Sequence, residues 1–461
     1  MSTLVLIAAL LAGEWPRFRG PNGGGVAAES GAPSDLQKSL IWKLALPPGH
    51  SSPVLSSTSI FLTALDGEKL YTYAIDRGAG KVVWRREAPR SRAEALDKRN
   101  TAASPSPAID GDSVYVFFGD YGLIAYTQDG RERWRTPLGP FRNAYGMGAS
   151  PIVTGDRVIL VCDQGVGSFI IALSREDGRV LWKTARPEAV SGHSTPSLYQ
   201  PPSGGMQVLA PGSFRLTSYS AATGEKLWWI DGLPSEMKSV PLVFGDTVYI
   251  SGYNTPENDP GRQVKVPPFD EVLAAGDANH DGKLTRAEIT DQKAKRYFQF
   301  LDLDLDGALD RGEWLIYQST MAAENGLLAF RLGGRGDLTG KQLRWKYQRS
   351  IPQLPSLLLY RSVLYMINDG GVLTTLNPET GAVLAQTRMR GAIDHYYASP
   401  VAAGGKIYLA SQSGVVTVLK AGGRQEILAT HELDDEVYAT PAIDGGRLYI
   451  RTRGALYCFG E

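Results

Sequence analysis

The sequence predicts a mainly β chain folded as an eight-bladed β-propeller of four-stranded antiparallel blades. Its ring is closed by the N-terminal strand, and a small α-helical pair is inserted in blade five; seven blades is the alternative count. Three observations carry this. A repeat of about 45 residues runs along the 461-residue chain and is broken once, between Tyr253 and Leu327. Each repeat reads as four short strands bounded by glycine turns. The last repeat has only three strands, and an unpaired strand stands near the start of the chain.

The chain opens on MSTLVLIAALLAGEW. Leu4 to Ala12 is an unbroken apolar run of nine residues, too short to cross a bilayer as a helix. With the small residues Ala12 and Gly13 behind it, the run has the length of a secretory leader, although the usual Lys or Arg near the start is missing. Residues 1–13 are therefore expected to be a signal peptide and 14–461 the propeller, in a periplasmic or secreted protein. A buried first strand is the other reading. No later stretch is long and apolar enough for a membrane-spanning helix, so an integral membrane protein is not expected. The 48 basic and 48 acidic residues balance without basic clusters, which excludes a nucleic-acid footprint.

Next comes the lone strand LIWKLAL around Trp42. A small polar residue near a proline then opens each repeat, at Pro53, Pro107, Pro151, Pro196, Pro241, Pro355, Pro400 and Pro441. The spacings are 54, 44, 45, 45, 114, 45 and 41. A short first strand and a turn such as DGD or TGD lead to an alternating second strand: SVYVFF, RVILVC, TVYISG, KIYLAS, RLYIRT. A third strand follows (LYTYAID, FIIALSRE). A glycine turn then leads to a fourth strand closing on Trp84, Trp134, Trp182, Trp228 or Trp345, while GAVLAQ and GRQEILA lack the tryptophan. The strand at Trp42 supplies the fourth strand that the last repeat lacks. Cys162 and Cys458 fall in different repeats and read as small buried residues rather than a disulfide framework.

AIDRGAGKVVW, ALSREDGRVLW and SYSAATGEKLW resemble the tryptophan-docking repeat of the pyrroloquinoline quinone (PQQ) propeller superfamily, roughly A-x-D-x-x-T-G-x-x-x-W. WPRFRGPNGGG, from Trp15 to Gly25, is similar to the opening of its secreted bacterial members. The superfamily also holds quinoprotein dehydrogenases and the outer-membrane assembly propeller lipoprotein. The resemblance implies the propeller. The dehydrogenases carry adjacent cysteines over the quinone, a funnel calcium and a catalytic aspartate. Here the cysteines stand apart and no motif matches those positions, so PQQ is not expected. The tryptophans have a sufficient role as large rings packed between blades with their N–H satisfied.

The break in the repeat carries DANHDGKLTRAE from Asp277 and DLDLDGALDRGE from Asp302. Both match the twelve-residue EF-hand loop, with oxygen ligands at positions 1, 3, 5, 7, 9 and 12 and glycine at 6. Loop one offers Asp277, Asn279, Asp281, the Lys283 carbonyl, Thr285 and Glu288. Loop two offers Asp302, Asp304, Asp306, the Ala308 carbonyl, Asp310 and Glu313. Two Ca2+ sites are expected in an EF-hand pair over 265–325, joined back to back by Leu284 and Leu309. Phe269, Val272 and Leu273 share one helical face. Thr285 with Glu288, and Asp310 with Glu313, have capping-box spacing before the next helices. Both ends of the pair are tied into one hairpin, which favours a structural or partner-presenting role over a wide swing.

Loops converge on a propeller's funnel, and several polar residues just before the opening marks are candidates to line it: His50, Asn100, Arg142, Asn143, Tyr145, His193, Asp394, His395 and Tyr397. They suit a wet polar channel, or a metal or acid–base site. No nucleophile elbow, phosphate loop or zinc spacing appears. The reading is an exported calcium-binding scaffold for a protein or polymer partner on the propeller face. The alternative is an enzyme using the funnel, of PQQ-dependent dehydrogenase type or a hydrolase.

Overall fold

The computed structural model of the protein describes residues 15–27, 31–389 and 391–460. The expected signal peptide, residues 1–13, lies outside them. Eight blades of four antiparallel strands form from the repeats, one of them carrying an added fifth strand. Blade one is Val54–Leu55, Ser59–Asp66, Lys69–Asp76 and Val82–Glu87, and blades two to seven follow the same order. Blade eight is Ala442–Asp444, Arg447–Arg451 and Ala455–Phe459, with Leu40–Ala45 as its outer strand, Trp42 opposite Cys458. The ring is thus closed by the N-terminal strand, and the count is eight. The short first strands meet their neighbours around the axis, including those of blades one and eight.

The serine or threonine before each first strand joins the blades to one another. Its hydroxyl accepts the backbone N–H of its counterpart in the preceding blade: Ser52 N to Ser106 Oγ at 2.8 Å, Ser106 N to Ser150 Oγ at 2.9 Å, Ser150 N to Thr195 Oγ1 at 2.9 Å. The chain resumes with Val240 N to Ser356 Oγ at 3.0 Å, Ser356 N to Ser399 Oγ at 2.9 Å and Ser399 N to Thr440 Oγ1 at 3.0 Å. Thr440 N to Ser52 Oγ at 2.9 Å completes the circuit. The gap falls at Val240, which has no hydroxyl; there Ser194 Oγ donates to Ser239 O at 2.6 Å instead. These hydroxyls also correct the sixth opening mark. Ser356–Leu357, not Pro355, stands in register with Ser52–Pro53, because the first strand of blade six begins at Leu358.

The core lies between blades rather than within them. Phe61, Leu70 and Ala74 of blade one pack with Val114, Val116 and Ile124 of blade two, and similar clusters recur around the ring. Fourth-strand tryptophans tie the outer rim. The indoles of Trp42, Trp84, Trp134, Trp182 and Trp345 donate to carbonyls of Arg77, Gln128, Arg175, Ala221 and Pro378 in the next blade, at 2.8–3.2 Å. Each ring lies on the turn glycine there. A Cβ on Gly130 (φ +87°) would sit 2.7 Å from the Trp84 indole. Small residues face the rings across the sheet: Ala74, Ala125, Ala172, Ala329 and, opposite Trp42, Cys458. That position explains Cys458, and both cysteines are free and buried. Trp228 departs from the pattern and donates to Gln207 Oε1 of its own blade at 3.0 Å. The corresponding turn of blade five instead adds Gly336–Asp337 as a parallel fifth strand.

Residues 15–27 cross the axis. Trp15 pairs with Leu55, Ile109 N donates to Pro16 O at 2.7 Å, and Ala402 N to Gly25 O at 2.8 Å, linking blades one, two and seven. The Asn22 side chain bonds both backbone groups of Leu198, and Arg17 reaches Pro196 O at 2.7 Å in blade four. Arg19 reaches Leu357 O at 2.6 Å in blade six. Gly20, Gly23 and Gly25 of this segment are forced by contact: a Cβ on Gly20 (φ +67°) would meet the Trp15 ring at 2.7 Å.

The insert leaves blade five at Gly252 and returns at Gly326, residues paired on its second and third strands. It contains α1 (Phe269–Gly276), α2 (Gln292–Leu301) and α3 (Arg311–Ala322) around its own core of Phe269, Leu284, Leu309, Trp314, Tyr317 and Met321. Leu284 pairs with Leu309. Asp310 and Glu313 form the expected capping box of α3. The expected box at Thr285 does not open a helix. Glu288 accepts from Thr285 N at 2.9 Å within the turn, and α2 starts later, capped by Asp291. Asn258 and Asn325 clamp the base: Asn325 N donates to Asn258 O at 2.9 Å, and Asn258 Nδ2 to Thr320 O at 2.7 Å.

Ser52→Ala removes the acceptor of the buried Thr440 N–H and opens the circuit between blades eight and one. It should destabilise the protein by about 1–3 kcal/mol in chemical denaturation, whereas Ser57→Ala on the surface should cost under about 0.5 kcal/mol.

Candidate functional site

The residue three places before each first-strand mark faces the axis in all eight blades: His50, Ser104, Gly148, His193, Lys238, Leu354, Tyr397 and Tyr438. This follows from the hydroxyl circuit. It pins the chain at the residue before each mark, so each connecting loop enters the ring in one orientation. The eight positions surround a funnel of about 490 Å³ with Phe18 of the axial segment among its lining residues.

Of the expected lining residues, His50, Asn100, Tyr145, His193, His395 and Tyr397 meet here. Arg142 and Asp394 do not. Arg142 turns outward and donates to Asp304 O in the insert at 2.8 Å. Asp394 accepts from Ser413 N at 2.6 Å and caps its own loop. Asn143 lines an adjoining chamber instead. Sequence reasoning missed Asp97, Arg99, Glu236, Lys238, Asp369 and Tyr438. Lys238 and Tyr438 were legible in principle, since they share the register of His50 and His193. Asp97 and Arg99 lie in the connection that makes the first spacing 54 rather than about 45.

The wall is aromatic and internally charge-matched. His50 stacks on Tyr438 at 4.1 Å, and Tyr438 meets Tyr397 edge-on at 4.8 Å. Across the funnel, Arg99 lies over the Tyr145 ring at 5.6 Å, and Tyr145 meets His193 edge-on at 5.7 Å. Asp97 pairs with Arg99 at 2.6 Å, Glu236 with Lys238 at 2.9 Å, and Asp369 faces His395 Nδ1 at 3.6 Å. Burial drives the Tyr145 phenol well above its ordinary range. Burial pushes the Glu236 carboxyl up, but Lys238 beside it wins and holds it below the usual range. Burial, aided by Lys238, brings His193 down to about 4, and burial with Arg451 and Arg453 brings His50 to about 3. Both imidazoles are therefore neutral at pH 7, and His193 Nε2 has no protein partner.

The two predicted calcium loops share one backbone plan. In loop one, Asp277 Oδ2 accepts from Gly282 N at 3.0 Å and Glu288 Oε1 from Ala278 N at 3.1 Å. In loop two, Asp302 Oδ2 accepts from Gly307 N at 3.1 Å and Glu313 Oε1 from Leu303 N at 2.6 Å. The sixth-position glycines have φ +81° and +88°, as the turn requires. Carboxylate oxygens of Asp302, Asp304 and Asp306 lie within 4.8 Å of one another, the acidic cluster able to gather a cation among the described residues. Loop one has Asn279 at the matching place. Lys283 of loop one makes an ion pair with Asp306 of loop two.

A family model described as outer membrane protein assembly factor BamB matches residues 35–169, 68–258 and 167–461, in overlapping alignments. No curated protein matches by sequence. Among solved structures, BamB from Moraxella catarrhalis is 15% identical over 92% of this chain and 99% of its own, with a TM-score of 0.57. A europium-containing methanol dehydrogenase is 10% identical over 97% and 98%, with a TM-score of 0.59. The quinohemoprotein alcohol dehydrogenase from Comamonas testosteroni is 12% identical over 97% of this chain and 80% of its own, with a TM-score of 0.62. At these identities the likeness is one of fold.

The histidine shifts set an acid limit. An unfolded chain binds protons at His50 and His193 near pH 6.5, while the folded one resists until about 3 and 4. The unfolded state therefore takes up more protons in that window, and stability should fall as pH drops from 6.5 towards 4. The same slope should be shallower in His193→Gln, measured by denaturant titration across that range; an unchanged slope would place the proton uptake elsewhere.

Proposed function

The chain belongs to the family of the outer membrane protein assembly factor BamB, and on that footing we propose that it is an extracytoplasmic, calcium-binding propeller that acts by binding a partner rather than by catalysis. The observation that carries the calcium reading is the convergence of Asp302, Asp304 and Asp306 in a loop that also supplies Glu313 at position 12. Calcium is a hard cation that takes six to eight oxygens, and this donor set is all oxygen. The side chains of loop two bring five negative charges, Asp302, Asp304, Asp306, Asp310 and Glu313, against three in loop one. Of the basic residues in the two loops, Lys283 pairs with Asp306, whereas Arg311 is drawn off to Asp270 and Arg286 donates to Lys295 O, so a divalent cation relieves the repulsion. Residues 265–325 act as the EF-hand pair, with Asp277, Asn279, Asp281, Lys283, Thr285 and Glu288 as the first site. Ala308 completes the second.

The funnel supports binding over redox chemistry. A quinone with its metal needs acidic donors gathered on the axis. Asp97, Glu236 and Asp369 are spread over three loops, and each faces its own basic neighbour. Cys162 and Cys458 sit in blades three and eight with no neighbouring thiol. These residues do not fit a PQQ site.

Calorimetric titration of the chelated, purified chain should find two calcium sites. Glu313→Gln should remove the second and Glu288→Gln the first. Calcium at about a hundredfold its Kd should add about 2.7 kcal/mol to the stability of the unit it holds. Absence of binding at millimolar calcium would defeat the calcium reading, and PQQ binding with dye-linked alcohol oxidation would defeat the non-catalytic one.

A further inference from the structure

The insert touches more of the ring than the blade that carries it. Phe300, near the end of α2 and two residues before the first ligand of loop two, stacks on Tyr145 at 5.0 Å and 15°. Arg142 holds the carbonyl of Asp304. At Gly165 the approach is so close that a Cβ would lie 2.4 Å from Leu303 O. Loop two is thus seated on the connections around blades two and three, two to three blades round the ring from its own attachment. Beneath it lies a second chamber of about 680 Å³, walled by Gln299, Phe300 and Leu303 on one side and by residues 94–98 and 141–145 on the other. It shares Asp97, Tyr145 and Glu236 with the funnel, so the two spaces adjoin at these side chains.

The lining selects by shape and by stacking. Rings of Phe18, Tyr397, Tyr438 and Phe300 line the two spaces, Tyr438 backed by His50 and Phe300 backed by Tyr145. The charged groups are matched one to another on the wall and still offer spare lone pairs and N–H groups. Such a wall has no basic excess to attract an anion, but suits a ligand with apolar C–H faces and many neutral hydroxyls. Two adjoining chambers suit several units joined in a chain.

We propose that funnel and second chamber form one binding site for a short neutral oligosaccharide, whose outer wall is built by the second calcium loop. Calcium in loop two orders Phe300 against Tyr145, and so strengthens sugar binding; loop one, which lines neither space among the described residues, has no such effect. By linkage, sugar binding raises calcium affinity at loop two by the same factor. The inference rests on the calcium reading above only for this linkage, since the chamber itself is independent of it.

The test is calorimetry on the full chain with neutral hexasaccharides of the cello-, malto- and N-acetylchito- series, with hexagalacturonate and a neutral Gly/Ser peptide as contrasts, in calcium and in chelator. At least one neutral sugar should bind, about tenfold more weakly for Phe300→Ala, where a stacking face is lost. The calcium enhancement should vanish in Glu313→Gln and persist in Glu288→Gln. Calcium-dependent slowing of amide exchange over 141–146 reads the same coupling without sugar. If no calcium binds, the earlier reading fails and the sugar site is judged on Phe300→Ala alone. Failure of every neutral sugar to bind at millimolar concentration, preference for the uronate or the peptide, or indifference to Phe300→Ala would overturn the proposal.

Discussion

Closure of the ring is the constraint on which the other features depend. Each blade exposes two apolar faces, and those faces are satisfied only when every blade has two neighbours. The chain secures this in three concentric layers. At the axis, hydroxyls before the first strands accept N–H groups from blade to blade, with one gap at Val240. Between blades lie the aliphatic and aromatic clusters. At the rim, five indoles reach into the next blade. The seam in blade eight is held by strand Leu40–Ala45, which brings its own indole, Trp42, across to blade one.

Closure also decides which surface is available for function. A fourth-to-first connection and a second-to-third turn emerge on the same face of a blade. The funnel is built from the former, and Asp369 joins it from the latter in blade six. The insert occupies a second-to-third turn in blade five, so topology alone delivers the acidic loops to the funnel mouth. Residues 15–27 lie along the axis among the first strands. This placement sets the buried Arg17 and Arg19 among backbone carbonyls. Burial brings them down to about 10 and about 9 respectively.

The ring was legible in the chain because its signals are local. Period-two alternation, turn glycines and the tryptophan strand each need only a few adjacent residues, and the unpaired strands at the two ends counted the blades. The sixth mark was misplaced for the same reason. Pro355 looks like the other prolines locally, and only the bond from Val240 to Ser356 shows which residue is in register. The funnel was half legible. His50 and His193 stood out by residue type, whereas Lys238 and Tyr438 share their register but carry no local mark. Arg142 and Asp394 had the right loops and the wrong direction, because each found a closer backbone partner.

The insert was expected to be held at its two ends by one hairpin, and that is where sequence reasoning underestimated it. A hairpin clamp at Asn258 and Asn325 fixes the base but leaves the far end free to pivot. The seat of loop two on Gly165, Arg142 and Tyr145 removes that freedom at a third point. Three points define a plane, so the insert and the mouth behave as one surface. Loop two lies at the third point, and the two acidic loops, alike in backbone plan, are therefore unequal in their setting. Nothing in their own twelve residues distinguishes them in this respect; the difference comes from what each loop is packed against.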